Sequence, residues 1–184
     1  QFQRAASLIC ACEKIRRENE EILGKEEISL GLWIGRDSSP NKEDDAYKSL
    51  NVLYEEKDSS KNKFILLNCP WCNDKFFKNQ EKPKGYKILG KKKLVHYICP
   101  NDSCSFSNDK NPLPVTVIDE RIYANPPTLL IGTIDKFASV TWLNKAISMF
   151  DDENKNFTKP DLIIQDELHL ISGPLGSIAG MYEI

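Results

Sequence analysis

Apolar residues recur at helical spacing through the start of the chain: Phe2, Ala5, Ile9, Cys12 and Ile15 predict an amphipathic helix from about Phe2 to Asn19. Ile28 to Ile34 is an almost unbroken apolar run of strand length, and 36–42 is a loop rich in Ser, Pro and Asn. From Glu43 to Glu56 the period returns to that of a helix, with Ala46, Leu50 and Leu53 on its inner face. Phe64 to Leu67 is expected as a short strand leading to the first cysteine pair. Tyr86 to Gly90 and Leu94 to Ile98 predict a hairpin. Val115 to Ile118, Leu129 to Ile131 and Leu162 to Ile164 are three further short apolar runs, of the kind that parallel sheets bury on both faces. Asp119-Glu120 is taken for a helix start, Thr141 to Phe150 is expected to be helical, and the Asn-rich stretch 151–159 is expected as a mobile loop. Alternating helix and strand signals predict an α/β layered sheet carrying an insertion.

Length and charge narrow the picture. With 184 residues and 40% apolar content the chain can build one sizeable core. A net charge of −2 excludes a global basic footprint, so any nucleic-acid surface must be local. No run has the roughly 18 apolar residues of a membrane span. The start, Gln1-Phe2-Gln3-Arg4, has neither an initiator Met nor the apolar core of a signal peptide, and the expectation is a piece cut from something longer.

Six cysteines in such a chain favour metal or free thiols over a disulfide framework, and hence a reducing, cytoplasmic compartment. Cys69-Pro70-Trp71-Cys72 and Cys99-Pro100-Asn101-Asp102-Ser103-Cys104 have the spacing of two metal knuckles, whose four thiolates would close a tetrahedral, structural zinc site. The segment 68–107 resembles a zinc ribbon. It has too little apolar content to fold unaided, so the metal would supply part of its folding energy. His96 lies in an alternating strand and is read as a packing or surface histidine. Cys10 and Cys12, two apart on a helix, point to different sides and are read as ordinary thiols. Eight lysines fall between Lys75 and Lys93, interleaved with Phe76, Phe77 and Tyr86. They fit either a phosphate-tracking, base-stacking surface or a solvated ribbon whose aromatics pack around the metal.

The run Asp161-Leu162-Ile163-Ile164-Gln165 ends on Asp166-Glu167-Leu168-His169. Adjacent carboxylates at the carboxyl end of a strand sit at the usual ligand edge of an open α/β sheet, where one can hold Mg²⁺ and the next can polarise a water. The competing reading is that they cap a helix start. The four residues look like motif II (Asp-Glu-x-His) of superfamily 2 helicases, and Leu129-Leu130-Ile131-Gly132-Thr133-Ile134-Asp135-Lys136-Phe137 looks like the strand and loop of motif Ib. The cysteine-bearing insertion, the stretch through Ala138, and the continuation Leu170-Ile171-Ser172-Gly173-Pro174-Leu175-Gly176 are similar to the large bacterial helicase family that includes the helicase of DISARM-type phage-defence systems.

That resemblance implies that Asp166 holds the magnesium of Mg-ATP, Glu167 orients or deprotonates the attacking water, and His169 relays nucleotide state. It places Thr133 and Lys136 at the nucleic-acid-holding Thr and Arg positions of motif Ib, although Ile134 and Asp135 replace the family's Pro and Gly. The phosphate-cradling Gly-x-x-x-x-Gly-Lys-Ser/Thr loop is nowhere in the sequence. The expectation is therefore part of a motor: a partial RecA-like parallel sheet flanked by helices over 1–67 and 108–184, with a small zinc-ribbon insertion at 68–107. Its partners would be nucleic acid, DNA before RNA, and the remainder of the helicase, with no membrane. Alone it would be inactive. The alternative is a zinc-ribbon nucleic-acid-binding module on an inert α/β scaffold.

Overall fold

The chain is seen in a computed structural model that describes residues 1–35, 37–78, 80–147, 149–150 and 158–166. It divides into two compact units, Gln1–Lys136 and Phe137–Ile184.

The centre of the first unit is β1 (Leu30–Trp33), four consecutive buried residues. It is flanked by β4 (Val115–Thr116) and β5 (Leu129–Gly132), both parallel to it, in the order β4-β1-β5. An unbroken apolar run suits a strand covered on both faces, and helices supply the covers. Helix α1 spans Phe2–Glu18 and α3 spans Glu43–Glu56, whose buried residues are Ala46, Leu50 and Leu53, as their spacing predicts. Between α1 and β1 lies the one-turn α2 (Glu20–Leu23). The expected hairpin is present as β2 (Tyr86–Leu89) and β3 (Leu94–Tyr97), antiparallel, turning through Gly90 at φ +70°. Asp119 opens the short helix α4 (Asp119–Ala124), as expected.

Three elements depart from the sequence pattern. No strand forms over Phe64 to Leu67, because Ile65 adopts φ 67° and the Leu66 amide turns back to the Phe64 carbonyl at 2.7 Å. That tight reversal buries Phe64 and Leu66 and turns Leu67 outward. Residues 158–166 carry neither helix nor strand, and Leu162, Ile163 and Ile164 are 74, 65 and 78% exposed. An apolar run without alternation becomes a strand only where layers cover it, and its composition does not supply them. Where a helix is expected over Thr141 to Phe150, the described residues hold the end of a 3-10 turn (Ser139–Thr141) and one turn of α6 (Asn144–Ile147). Within the second unit Phe137 and Phe150 approach to 6.3 Å between ring centres, and Ala138, Ala146 and Met149 are buried. Of the loop expected at 151–159, residues 151–157 lie outside the described residues.

The inner face of α1 is also rotated from the expected one. Ala6, Ile9, Cys10, Glu13 and Arg16 are buried, whereas Ile15 is exposed. Two charges on that face are tolerable because they answer each other. Glu13 accepts two bonds from Arg16 at 2.8 Å, one from Arg17 at 2.6 Å, and one from the Ile28 amide at 2.9 Å. Arg16 also donates to the Gly24 carbonyl at 2.9 Å. The pair thus ties α1 to the turn after α2 and to the approach to β1. Burial alone would push the Glu13 carboxyl up, but these donors hold it below its usual value.

Glu13→Ala leaves Arg16 buried without its partner and should cost about 3–5 kcal/mol in denaturant unfolding. A loss below about 1 kcal/mol would contradict the role given to this pair. Because the folded carboxyl lies below the ordinary 4.5, its stabilisation is complete above that pH and is lost as pH falls through the depressed value. The wild type should therefore lose stability on acidification more steeply than Glu13→Gln.

Candidate metal centre

Each cysteine pair is held in a tight backbone turn. In the first, the Asn73 amide bonds the Cys69 carbonyl at 2.9 Å and the Cys69 amide bonds the Asp74 carbonyl at 2.7 Å. Asn68 and Lys75 bridge across the base of this loop, and Asn73 supplies the left-handed residue at φ 64°. In the second, the Cys99 amide meets the Phe106 carbonyl at 2.8 Å and the Cys104 amide meets the Asn101 carbonyl at 2.9 Å.

The four sulfurs of Cys69, Cys72, Cys99 and Cys104 lie within 4.8 Å of one another. Across the two turns, Cys69 and Cys104 are 3.9 Å apart and Cys72 and Cys99 are 3.4 Å apart. A tetrahedral ion with metal–sulfur bonds near 2.3 Å separates its sulfurs by about 3.8 Å, so this cage fits one ion. None of the four is disulfide-linked. His96, half-buried on β3, is not a member of the cluster. Burial and the nearby Arg121 push its imidazole down to about 4, which leaves it a neutral packing residue at ordinary pH.

Without a cation, burial pushes Cys69 up to about 12 and raises Cys99 as well. Burial acts in the same direction on Cys72, but the Asp74 amide and the neighbouring thiols outweigh it and bring that thiol below its usual value. The amides of Trp71 and Cys72 face the Cys69 sulfur, and the Asn101 amide faces Cys99. Such N–H groups favour thiolates, so the turns suit a bound cation.

The cage rests on an aromatic core. Phe64, Phe76, Tyr86 and Tyr97 are buried together, with ring centres 4.9–6.4 Å apart. Their hydroxyls are satisfied internally: Tyr97 donates to the Phe64 carbonyl at 2.6 Å and Tyr86 donates to that of Leu66. Gly85 lies where a methyl group would fall 2.0 Å from Cγ of Phe76. The main body packs against this core directly. Ser7 of α1 donates to the Pro70 carbonyl at 2.7 Å, Arg17 stands 5.5 Å over Phe106, and Tyr54 of α3 donates to the Tyr86 carbonyl at 2.8 Å. Cys10 is buried beside the cage, pushed up to about 12 by burial first and then by Cys69 and Cys104.

A second polar cluster occupies the carboxyl ends of β1, β4 and β5. Asp119 follows β4, and Lys136 lies in α5 (Ile134–Ala138) after β5. Their side chains are paired, 4% and 13% exposed. Trp33, at the end of β1, donates from Nε1 to the Tyr123 hydroxyl at 3.0 Å, and the Lys136 ammonium stands 5.9 Å from its ring centre. Next to Asp119, Arg121 grips Glu43 at the start of α3 with two bonds of 2.7–2.8 Å and donates to the Val95 carbonyl of β3 at 2.8 Å. One short helix therefore links the hairpin, α3 and the loop after β5. The Asp119 carboxyl is raised by burial, with Lys136 pulling it back.

Of the residues singled out in the sequence, the structure brings the four cysteines together. Thr133 is exposed, with its amide donating to the Trp33 carbonyl at 3.1 Å, while Lys136 points inward to Asp119. Asp166 is exposed, and Glu167 and His169 lie outside the described residues. Asp119 and Arg121 escaped the sequence reading beyond the helix start, because nothing local tells an acid that caps a turn from one that meets a lysine 17 residues on.

No family model matches the chain. In an alignment 215 positions long that takes in all of this chain, it is 34% identical to the DISARM protein DrmA of Bacillus paralicheniformis. The chain covers 19% of that protein's length.

Asp119→Ala would leave the Lys136 ammonium buried without its carboxylate and should cost about 3–5 kcal/mol by chemical denaturation. The double change Asp119→Leu with Lys136→Met should recover much of that loss. Equal destabilisation by the single and double changes would refute an ion pair as the source.

Proposed function

We propose that this chain is a segment of the first motor domain of an ATP-dependent superfamily 2 helicase or translocase, and that Cys69, Cys72, Cys99 and Cys104 hold a structural zinc ion within it. The observation that carries the reading is similarity over this whole chain to about a fifth (19%) of a DISARM protein, in a chain that also contains Asp166-Glu167-Leu168-His169 behind an apolar run. The parallel strands β4, β1 and β5 support it, since they present their carboxyl ends on one edge, where α/β sheets of this kind bind ligands. Zinc is the metal that four clustered thiols favour, and a cage filled by four protein ligands has no open position for chemistry.

In the whole protein Asp166, exposed at the end of 158–166, would take the magnesium of Mg-ATP. Glu167 would orient and deprotonate the attacking water, and His169 would pass nucleotide state to the strand-binding loops. Thr133 and Lys136 would face nucleic acid, DNA before RNA. Lys136 would have to leave Asp119 to do so, whereas Thr133 is exposed. Among the described residues no helix is long and apolar enough to cross a membrane, and the compartment proposed is the cytoplasm.

The purified chain should carry about one zinc per molecule, measured by elemental analysis, and Cys72→Ser with Cys99→Ser should abolish it. Zinc-free protein with all four thiols freely alkylated would remove the metal from the account. Binding must displace protons from Cys69 and Cys99, so zinc affinity should weaken steadily as pH is lowered.

The isolated chain should not turn over ATP, because it has no loop to cradle the phosphates. In the full-length protein Glu167→Gln should abolish hydrolysis yet leave nucleotide binding nearly intact. Near-normal hydrolysis in that variant would contradict the motor assignment.

A further inference from the structure

The eight lysines of the ribbon and the aromatics interleaved with them part company in the fold. Phe76, Phe77 and Tyr86 are buried, whereas Lys75, Lys78, Lys82, Lys84, Lys87, Lys91, Lys92 and Lys93 are all exposed. The segment 68–107 holds these eight lysines against three acids, in a chain whose net charge is −2, so the positive charge is concentrated on one small unit. Four of the lysines, Lys75, Lys78, Lys82 and Lys84, line a single surface hollow of about 140 Å³ beside the cysteine turns.

The two acids on its rim do not cancel them. The Asp74 carboxylate accepts the Lys75 amide at 2.9 Å, and among the described residues Glu81 pairs with Lys84, at 3.8 Å. Of the other four, Lys87 pairs at 3.5 Å with Asp109 and the Lys93 ammonium lies 5.0 Å over the Tyr47 ring. Lys91 and Lys92, in the hairpin turn, are exposed as well, but the hollow gathers four lysines against two acids in one concavity.

We propose that this hollow is a phosphate-backbone contact site, a second nucleic-acid track on the ribbon that is separate from the loop after β5. The proposal rests on the nucleic-acid reading above. Phe76, the ring that lines the hollow, is fully buried, and Trp71, 40% exposed, is not part of its lining. The hollow itself therefore offers no open ring for stacking bases and senses charge, not base identity. Binding here should accordingly be indifferent to base composition and steeply dependent on salt, as each phosphate neutralised releases counterions.

The test uses the zinc-loaded chain, with labelled single strands of dT and of mixed sequence titrated between 50 and 200 mM salt. Three to four contacts give a slope of log K against log salt of roughly −2 to −3, a loss of about 20- to 50-fold over that range, equal for both strands. Replacing Lys75, Lys78, Lys82 and Lys84 together by Gln should cut the loss to about 2-fold or less. A control removes the same charge elsewhere, with Gln at the exposed Lys25, Lys48, Lys63 and Lys110, and should keep most of the slope.

Equal effects of the two sets would show that only net charge matters and would overturn the site. So would an unchanged slope in the first set. If the first set instead lowers zinc content and leaves the slope intact, the lysines serve to balance the thiolates, and the proposal fails. No binding by any protein at 50 mM salt would defeat the nucleic-acid reading as well.

Discussion

The two cysteine turns pack directly against α1 and α3, and the candidate metal cage is built on that contact. Ser7 meets the backbone of the first turn at Pro70, Arg17 covers Phe106 of the second, and Tyr54 reaches the start of the hairpin. One set of buried side chains runs from Ala6 and Cys10 through Leu30 and Leu50 to Phe76, Cys69 and Cys104. A metal in the cage would thus stabilise more than a peripheral loop. Its binding energy enters the folding of the surface on which the sheet's helices rest.

The hairpin transmits that constraint. Arg121 holds Val95 of β3 and Glu43 of α3 at once, and two residues before it Asp119 holds Lys136. A chain of hydrogen bonds and ion pairs therefore runs from the ribbon to the loop after β5, through a helix of six residues. Buried charges are costly singly and tolerable in answered sets, which is why this edge and the Glu13–Arg16 pair can coexist with an apolar core. The same economy leaves the ribbon's lysines outside and Phe76, Tyr86, Tyr97 and Phe106 inside.

Elements with a strong period were readable from the sequence. The spacing of Ala46, Leu50 and Leu53 placed α3 to the residue, and the cysteine spacing foretold which four sulfurs would converge. What failed was decided by groups distant in sequence. Ile28's amide and two arginines make Glu13 a core residue, so α1 buries a face its apolar pattern does not mark. The left-handed turn at Ile65 breaks an apolar run that otherwise reads as a strand. Leu162 to Ile164 shows the converse, an apolar run exposed and without a ladder. The composition of 68–107 did not show that its rings, in tilted and edge-on contacts, join a core shared with α1 and α3.

That shared core is open to a direct measurement: hydrogen exchange of backbone amides in the zinc-loaded chain and again after chelation. If ribbon and sheet fold as one, removing the metal should speed exchange in α1, β1 and β3 together, by similar factors. Loss of protection confined to 68–107, with the amides of Leu30 to Trp33 unchanged, would show the ribbon to be a separate domain and contradict the account.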